Sequence, residues 1–135
     1  MTSTIIYKGG LRTEMKHLQS GTIVETDAPV DNNGKGERFS PTDLVATALG
    51  SCMLTIMGIS ANTQGVNIDG SEMEITKIMT AAPRKIGEII VKVKIKGQET
   101  YSEKDQIILE RAALTCPVYL SLHEDVKKTV EFVWE

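Results

Sequence analysis

Two cysteines, Cys52 and Cys116, are the residues of this 135-residue chain best suited to covalent chemistry. A thiolate is a nucleophile, and two thiols that can meet support reversible oxidation to a disulfide. Cys116 precedes Pro117, which predicts the N-terminus of a short helix, where outward N–H groups would stabilise a thiolate. Cys52 lies in a long apolar segment, where the commoner role of a cysteine is that of a small core side chain. The spacing alone leaves both interpretations open.

The segment around Cys52 predicts a helix. Ser40-Pro41-Thr42-Asp43 supplies a capping residue, a proline at the first helical position and an acid three residues after the cap. We expect the helix to run to about Asn62. The stretch from Leu44 to Ala61 carries no charge, so the helix is predicted to be buried on all sides. Its many Gly, Ser and Thr residues favour a central core helix over a membrane span.

The remaining elements alternate runs of strands with helices. Strands are predicted at Thr4–Tyr7, Leu11–His17, Thr22–Thr26, Ser71–Thr80, Lys85–Lys96 and Thr129–Trp134, and helices at about Ser102–Thr115 and Pro117–Leu122. Turns are predicted at Gly9-Gly10 and Ser20-Gly21, and a polar loop covers 27–38. Lys85–Lys96 alternates apolar and polar side chains, and Ser102–Asp105 supplies a cap for the helix that follows. This order favours an α+β fold. With no repeat and no linker, we expect residues 1–135 to form a single domain.

Composition excludes several classes of function. The formal net charge is -3 and aromatic residues make up 4% of the chain. Such a surface repels phosphate backbones and anionic lipids and offers few rings for base stacking, so no nucleic-acid or membrane partner is expected. Met1–Ile6 has neither a basic patch nor a long apolar run, which favours a cytoplasmic protein with reduced thiols. The cysteines and histidines lack zinc-ligand spacing, so no metal is expected.

Two longer motifs resemble a known family. Phe39-Ser-Pro-Thr-Asp-Leu-Val-Ala-Thr-Ala-Leu-Gly-Ser-Cys52 resembles the central-helix signature of the osmotically inducible protein C and organic hydroperoxide resistance (OsmC/Ohr) family. Glu110-Arg-Ala-Ala-Leu-Thr-Cys-Pro117 resembles that family's second-cysteine segment, and Gly9-Gly10-Leu11-Arg12 matches its N-terminal arginine motif more loosely. The resemblance extends over nearly the whole chain in order and spacing.

The resemblance implies an activity and an architecture. The family's peroxidases reduce organic hydroperoxides, so Cys52 would be the peroxidatic thiolate and Cys116 the resolving thiol. An external dithiol, dihydrolipoyl-type in these peroxidases, would reduce the resulting disulfide. The implied fold has antiparallel sheets packed around a long buried central helix, in an intertwined homodimer. No metal or other cofactor is implied.

Candidate supporting residues surround this chemistry. A buried thiolate needs a cation, because desolvation raises its pKa. Arg12 is the first candidate, although a solvated strand arginine would fit the pattern too, and Arg38 is the reserve. The family's peroxidases carry a glutamate directly after the proline, where Thr42 stands here. Asp43 is therefore the candidate catalytic acid, and it also suits the capping box.

Two alternative functions remain open from the sequence. One is a non-peroxidase member of the family that acts as a redox sensor or a small-ligand-binding protein. The other is a cysteine hydrolase that pairs Cys52 with His17 or His123 and Asp43. Neither histidine lies in a motif typical of a hydrolase, and both are interpreted as surface residues. Glu37 is interpreted as a solvated side chain.

Overall fold

The N-terminal strands form a three-stranded antiparallel sheet. The computed structural model describes residues 1–135, which divide into two compact units, 1–45 and 46–135. In the first unit, β1 (Ser3–Gly9), β2 (Arg12–His17) and β3 (Ile23–Asp27) pair in chain order. The turn predicted at Gly9-Gly10 lies one residue later, at Gly10-Leu11, because Gly9 still pairs with Arg12. Both glycines have positive φ, 83° and 61°, which a residue without Cβ adopts at little cost.

The second hairpin sets the register of β2 against β3. The His17 N–H donates to the Thr22 carbonyl at 2.9 Å across the predicted Ser20-Gly21 turn. From this pair the antiparallel register places Arg12 directly opposite Asp27. A slip of one residue would move every side chain to the other face, so this short turn decides which residues Arg12 can meet.

The predicted helix around Cys52 is confirmed as α1 (Pro41–Gln64). Its start is a reciprocal capping box: the Asp43 N–H donates to Ser40 Oγ and the Ser40 N–H donates to Asp43 Oδ2, both at 3.0 Å. Such a box satisfies two N–H groups that the first helical turn leaves without partners. The preceding polar loop contains one short 3-10 turn, Val30–Asn32, and Asp27 belongs to β3 rather than to the loop.

The second unit contains the second sheet and two more helices. β4 (Glu72–Ala81) pairs with β5 (Arg84–Ile95) in an antiparallel hairpin, and β6 (Lys127–Trp134) pairs with β5 in parallel. This sheet is therefore mixed, whereas purely antiparallel sheets were expected. A parallel neighbour needs a long crossover, which α2 (Glu103–Ala113) and α3 (Pro117–Ser121) supply. The predicted cap of α2 is confirmed, since Ser102 Oγ accepts from the Asp105 N–H at 3.1 Å.

The hydrophobic core of the second unit lies between its sheet and its helices. The predicted alternation of β5 is confirmed: its apolar side chains Ile89, Val91, Val93 and Ile95 are fully buried. They share the core with one face of α1, represented by Leu49, Met53 and Met57. Burying side chains of this size contributes about 1.5–3 kcal/mol each. β5 is the central strand, so its lysines do not protect a sheet edge.

The prediction that α1 is buried on all sides is wrong for the single chain. Its other face is exposed to solvent, with Val45 at 39% and Ile59 at 58% exposure and with Ala48, Ser51 and Thr55 exposed between them. By length and hydropathy α1 is the one helix that could span a membrane, and 33% of its apolar window is buried. One chain supplies a packing surface for only one side of this helix, whose residues after Asp43 carry no charge.

Candidate functional site

The two thiols meet in the second unit. Cys116 is fully buried, whereas Cys52 is half-buried and packs against the same core cluster. Both cysteines are unbridged, and the Cys52 side chain lies close enough to Cys116 to raise the pKa of its thiol. α1 positions Cys52 through its buried neighbours Leu49 and Met53, and the junction between α2 and α3 positions Cys116. The fold thus brings together the two residues that the sequence analysis singled out.

The electrostatics of the pair are asymmetric. Burial raises the pKa of the Cys116 thiol, and the hydrogen bond and negative charge of Cys52 raise it further. The backbone N–H groups of Tyr119 and Val118 lower the pKa, but they offset only part of the increase. Helix capping alone predicted a stabilised Cys116 thiolate, and this prediction is wrong because desolvation outweighs the N–H donors. Cys116 therefore holds its proton beside a more accessible Cys52.

Cys116 has a second structural role as the N-cap of α3. Its backbone is extended, with φ -66° and ψ 147°, and its Sγ accepts a hydrogen bond from the Tyr119 N–H at 3.2 Å. Pro117 occupies the first helical position, as predicted. The sulfur is fixed by this cap, so its orientation depends on the first turn of α3.

A separate cluster of charges lies in the first unit. Arg12 donates from Nε and Nη2 to the two carboxylate oxygens of Asp27 at 2.7 and 2.8 Å. The Asp27 side chain is fully buried and that of Arg12 is 19% exposed. The hydrogen bonds from Arg12 hold the pKa of Asp27 below its usual value, and the Glu37 N–H, at 3.2 Å, lowers it further. Arg12 is thus a positioned cation and not the solvated arginine of the alternative interpretation.

Glu37 and Arg38 complete this cluster. Glu37 Oε1 lies 3.3 Å from Arg12 Nη2, so the interpretation of Glu37 as merely solvated is wrong. Its side chain is 61% exposed, which makes it the weaker of the two carboxylates around Arg12. Arg38, the reserve cation, lies 3.3 Å from Glu25 and donates to the Glu37 carbonyl at 3.1 Å.

Asp27 is the residue of this cluster that sequence reasoning missed. The sequence pattern places Asp27 at the start of a polar loop. The signal for Asp27 is the Ser20-Gly21 turn, because pairing His17 with Thr22 and counting away from the turn along both strands brings Arg12 opposite Asp27. Asp43, the candidate catalytic acid of the sequence analysis, uses its carboxylate in the capping box with Ser40.

The histidines take part in turns. His17 Nδ1 lies 2.6 Å from Ser20 Oγ, and His123 Nδ1 accepts from the Asp125 N–H at 3.0 Å. Both side chains are exposed, as expected. These bonds do not orient a histidine as the base of a cysteine hydrolase. No group of three His, Cys, Asp or Glu side chains is arranged to hold a metal ion.

Comparisons with solved structures identify the fold. A candidate osmotic stress induced and detoxification response protein from Psychrobacter arcticus 273-4 is 48% identical, with a TM-score of 0.92 over 98% of this chain and 95% of that chain. The Legionella pneumophila organic hydroperoxide resistance protein OsmC, a predicted redox protein, is 17% identical. Its TM-score is 0.76 over 98% of this chain and 97% of that chain. The organic hydroperoxide resistance protein OhrB of Bacillus subtilis is 20% identical, with a TM-score of 0.65 over 98% of both chains.

The family comparison agrees with the structural one. No curated protein matches the sequence significantly. The OsmC-like protein family model matches residues 34–131, which include α1 with Cys52 and the Cys116 segment. The α+β fold expected from the resemblance is confirmed by the structural neighbours. On the family match and the 48% identity, the chain belongs to the OsmC-like protein family.

Proposed function

We propose that this protein is a thiol-dependent peroxidase that reduces organic hydroperoxides to alcohols. The observation that carries the proposal is the contact between a half-buried Cys52 and a fully buried Cys116 whose pKa is raised. In this proposal a peroxide reacts with the more accessible thiol, Cys52, and the buried Cys116 thiol beside it reacts in the second step. Membership of a family that includes organic hydroperoxide resistance proteins supports a peroxide-reducing role in general.

The proposed cycle uses both sulfurs. The Cys52 thiolate attacks the distal oxygen of R–O–O–H, the O–O bond breaks, and the alkoxide leaves with a proton as the alcohol. Cys52 is then a sulfenic acid. The Cys116 sulfur attacks the Cys52 sulfur, a disulfide forms and water leaves. An external dithiol, of the dihydrolipoyl type, reduces the disulfide by thiol–disulfide exchange and becomes a disulfide itself. Apolar neighbours of Cys52, such as Met53 and Ile56, favour an organic peroxide over a small polar one.

We assign Arg12 the role of the cation that favours the Cys52 thiolate. The bidentate bond to Asp27 supports this assignment, because a guanidinium fixed in one orientation loses less entropy when it acts on a substrate or thiolate. In this proposal Asp27 and Glu37 orient Arg12, as the family glutamate would have done. Asp43 then acts through the capping box, which sets where α1 begins.

We further infer that the protein is a homodimer. The exposed face of α1 carries no charge and combines small residues with Val45 and Ile59. A second copy of this face would cover it, since small residues allow two helices to approach closely. Matches along 98% of the chain support residues 1–135 as one domain in each subunit. We place the protein in the cytoplasm, where a reducing environment returns both thiols to the reduced state between cycles.

Peroxidase turnover tests the proposed function. Wild type, Cys52→Ser and Cys116→Ser are assayed with cumene hydroperoxide and dihydrolipoamide. We expect turnover by wild type, no turnover by Cys52→Ser, and a single oxidation of Cys52 to a dimedone-reactive sulfenic acid in Cys116→Ser. Equal turnover by wild type and Cys52→Ser would refute the mechanism.

A redox sensor of the same fold is the second candidate. Thr42 replaces the family glutamate, and Asp43 uses its carboxylate in the capping box. These features favour slower reduction of peroxide, although both cysteines are retained. A sensor would form the Cys52–Cys116 disulfide with stoichiometric peroxide but would show no sustained turnover with the dithiol, so the same assay separates the two candidates.

A further inference from the structure

The sulfur of Cys116 holds the first turn of α3 in place. Its Sγ accepts the Tyr119 N–H at 3.2 Å, and its carbonyl accepts the Leu120 N–H at 3.1 Å. α3 has only five residues, none of them fully buried, and Leu120 is 70% exposed. A helix this short has little stability of its own, so the cap contributes much of what orders it.

Formation of a Cys52–Cys116 disulfide would require this sulfur to move. The S–S bond is ~2.05 Å long, far shorter than any contact between two unbonded sulfur atoms. Cys52 lies inside the 24-residue α1 between buried Leu49 and Met53, so the position of its Cα is fixed. Cys116 occupies the extended junction between α2 and α3 and lies outside the regular turns of both helices. The displacement therefore falls mainly on Cys116.

We propose that α3 is a redox-responsive segment, which the Cys116 sulfur caps in the dithiol protein and releases in the disulfide protein. The inference rests on the proposed function, because it requires the reaction of two thiols and one organic hydroperoxide to give the disulfide, the alcohol and water. The released Tyr119 N–H loses its acceptor, and the turn of Val118–Leu122 opens more often. Loosening of α3 would expose the otherwise fully buried Cys116 sulfur to the external dithiol.

Amide hydrogen exchange across α3 tests the proposal. The dithiol protein and the protein oxidised with one equivalent of cumene hydroperoxide are compared by NMR, with the disulfide verified by intact mass. We expect the Tyr119, Leu120 and Leu122 amides to exchange roughly fivefold faster after oxidation, the size of effect that loss of an N-cap produces. Amides in the middle of β5, such as those of Val91 and Val93, report global stability and correct for any overall change.

Cys116→Ser is the matched control. Serine is a preferred N-cap and keeps an acceptor for the Tyr119 N–H, but it cannot form the disulfide. Its α3 amides should exchange at one rate before and after peroxide treatment. Disulfide formation without faster α3 exchange overturns this inference and leaves the proposed function standing. Failure of the wild type to form the disulfide overturns the proposed function and the inference together.

Discussion

Asp27 holds Arg12 by both carboxylate oxygens, at 2.7 and 2.8 Å, from a fully buried position opposite it on the neighbouring strand. A bidentate pair fixes the plane of the guanidinium as well as its position. Arg12 keeps its charge at every accessible pH, because the bond to Asp27 raises its already high pKa. The strand pairing thus supplies a permanently charged, oriented group.

Asp27→Asn should destabilise the protein and reduce peroxidase activity. The substitution removes the charge that compensates Arg12 and one of its two acceptor oxygens, while the volume stays the same. We expect a clear fall in the melting temperature by calorimetry. The control is Glu74→Gln, which breaks a 2.6 Å ion pair with Lys94 at a site where Glu74 is 61% exposed. That variant should unfold close to the wild-type temperature, because exposed pairs contribute little.

The stability contributed by Asp27 should disappear in acid. Its pKa in the folded protein is lowered by Arg12, so it lies below the unfolded value of about 3.9. The contribution is therefore present above that value and is lost as the pH falls through the folded pKa. We expect the difference in unfolding free energy between wild type and Asp27→Asn to be constant near neutrality and to shrink below about pH 4. A difference independent of pH throughout this range would contradict the assignment.

Thiol alkylation should distinguish the two cysteines. Iodoacetamide reacts with thiolates, and Cys116 is fully buried with a raised pKa, so we expect native protein at pH 8 to be labelled at Cys52 well before Cys116. Peptide mass spectrometry measures both rates. In Cys52→Ser the labelling of Cys116 should shift to lower pH, since the charge of Cys52 raises its pKa, yet burial should still keep it slow. Equal labelling rates in native wild type would contradict the asymmetry.

Two glycines of α1 should respond in opposite ways to alanine. A Cβ at Gly58 meets no atom within 4 Å, so Gly58→Ala should stabilise the helix by about 0.5–1 kcal/mol. A Cβ at Gly50 would lie 2.6 Å from both Ile75 Cδ1 and Met73 Sδ, so Gly50→Ala must displace these side chains. We expect Gly50→Ala not to show the increase in unfolding free energy that is expected for the control, Gly58→Ala. If urea unfolding gives equal increases in unfolding free energy for the two variants, the side chains of Ile75 and Met73 can move aside at little cost.

Local signals explain which parts of the fold the sequence predicts. The Ser40–Asp43 box, the Ser102 cap and the alternation of β5 each depend on residues within a few positions, so pattern and structure agree. The Arg12–Asp27 pair depends on strand register, which one turn transmits over 15 positions. The raised pKa of Cys116 depends on burial by elements distant in sequence, which outweighs the local cap.

The meeting of Cys52 and Cys116 is the least local feature. Spacing along the chain leaves the distance between them undefined, and only the family resemblance implied that they act together. The exposed face of α1 is a second feature that depends on contacts the sequence pattern does not specify. An uncharged helix is predicted to be buried, but the sequence does not say whether its own chain or another covers it.

Ile59→Glu should convert a dimer into monomers. Ile59 is 58% exposed on the uncharged face of α1, and a carboxylate there would be buried without a partner if a second copy covers this face. The control is Ile78→Glu, at a β4 residue that is 43% exposed and lies opposite Glu88. Sedimentation equilibrium measures both variants and wild type. We expect a dimer for wild type and Ile78→Glu and a monomer for Ile59→Glu. A dimeric Ile59→Glu protein would place the subunit interface away from this face of α1.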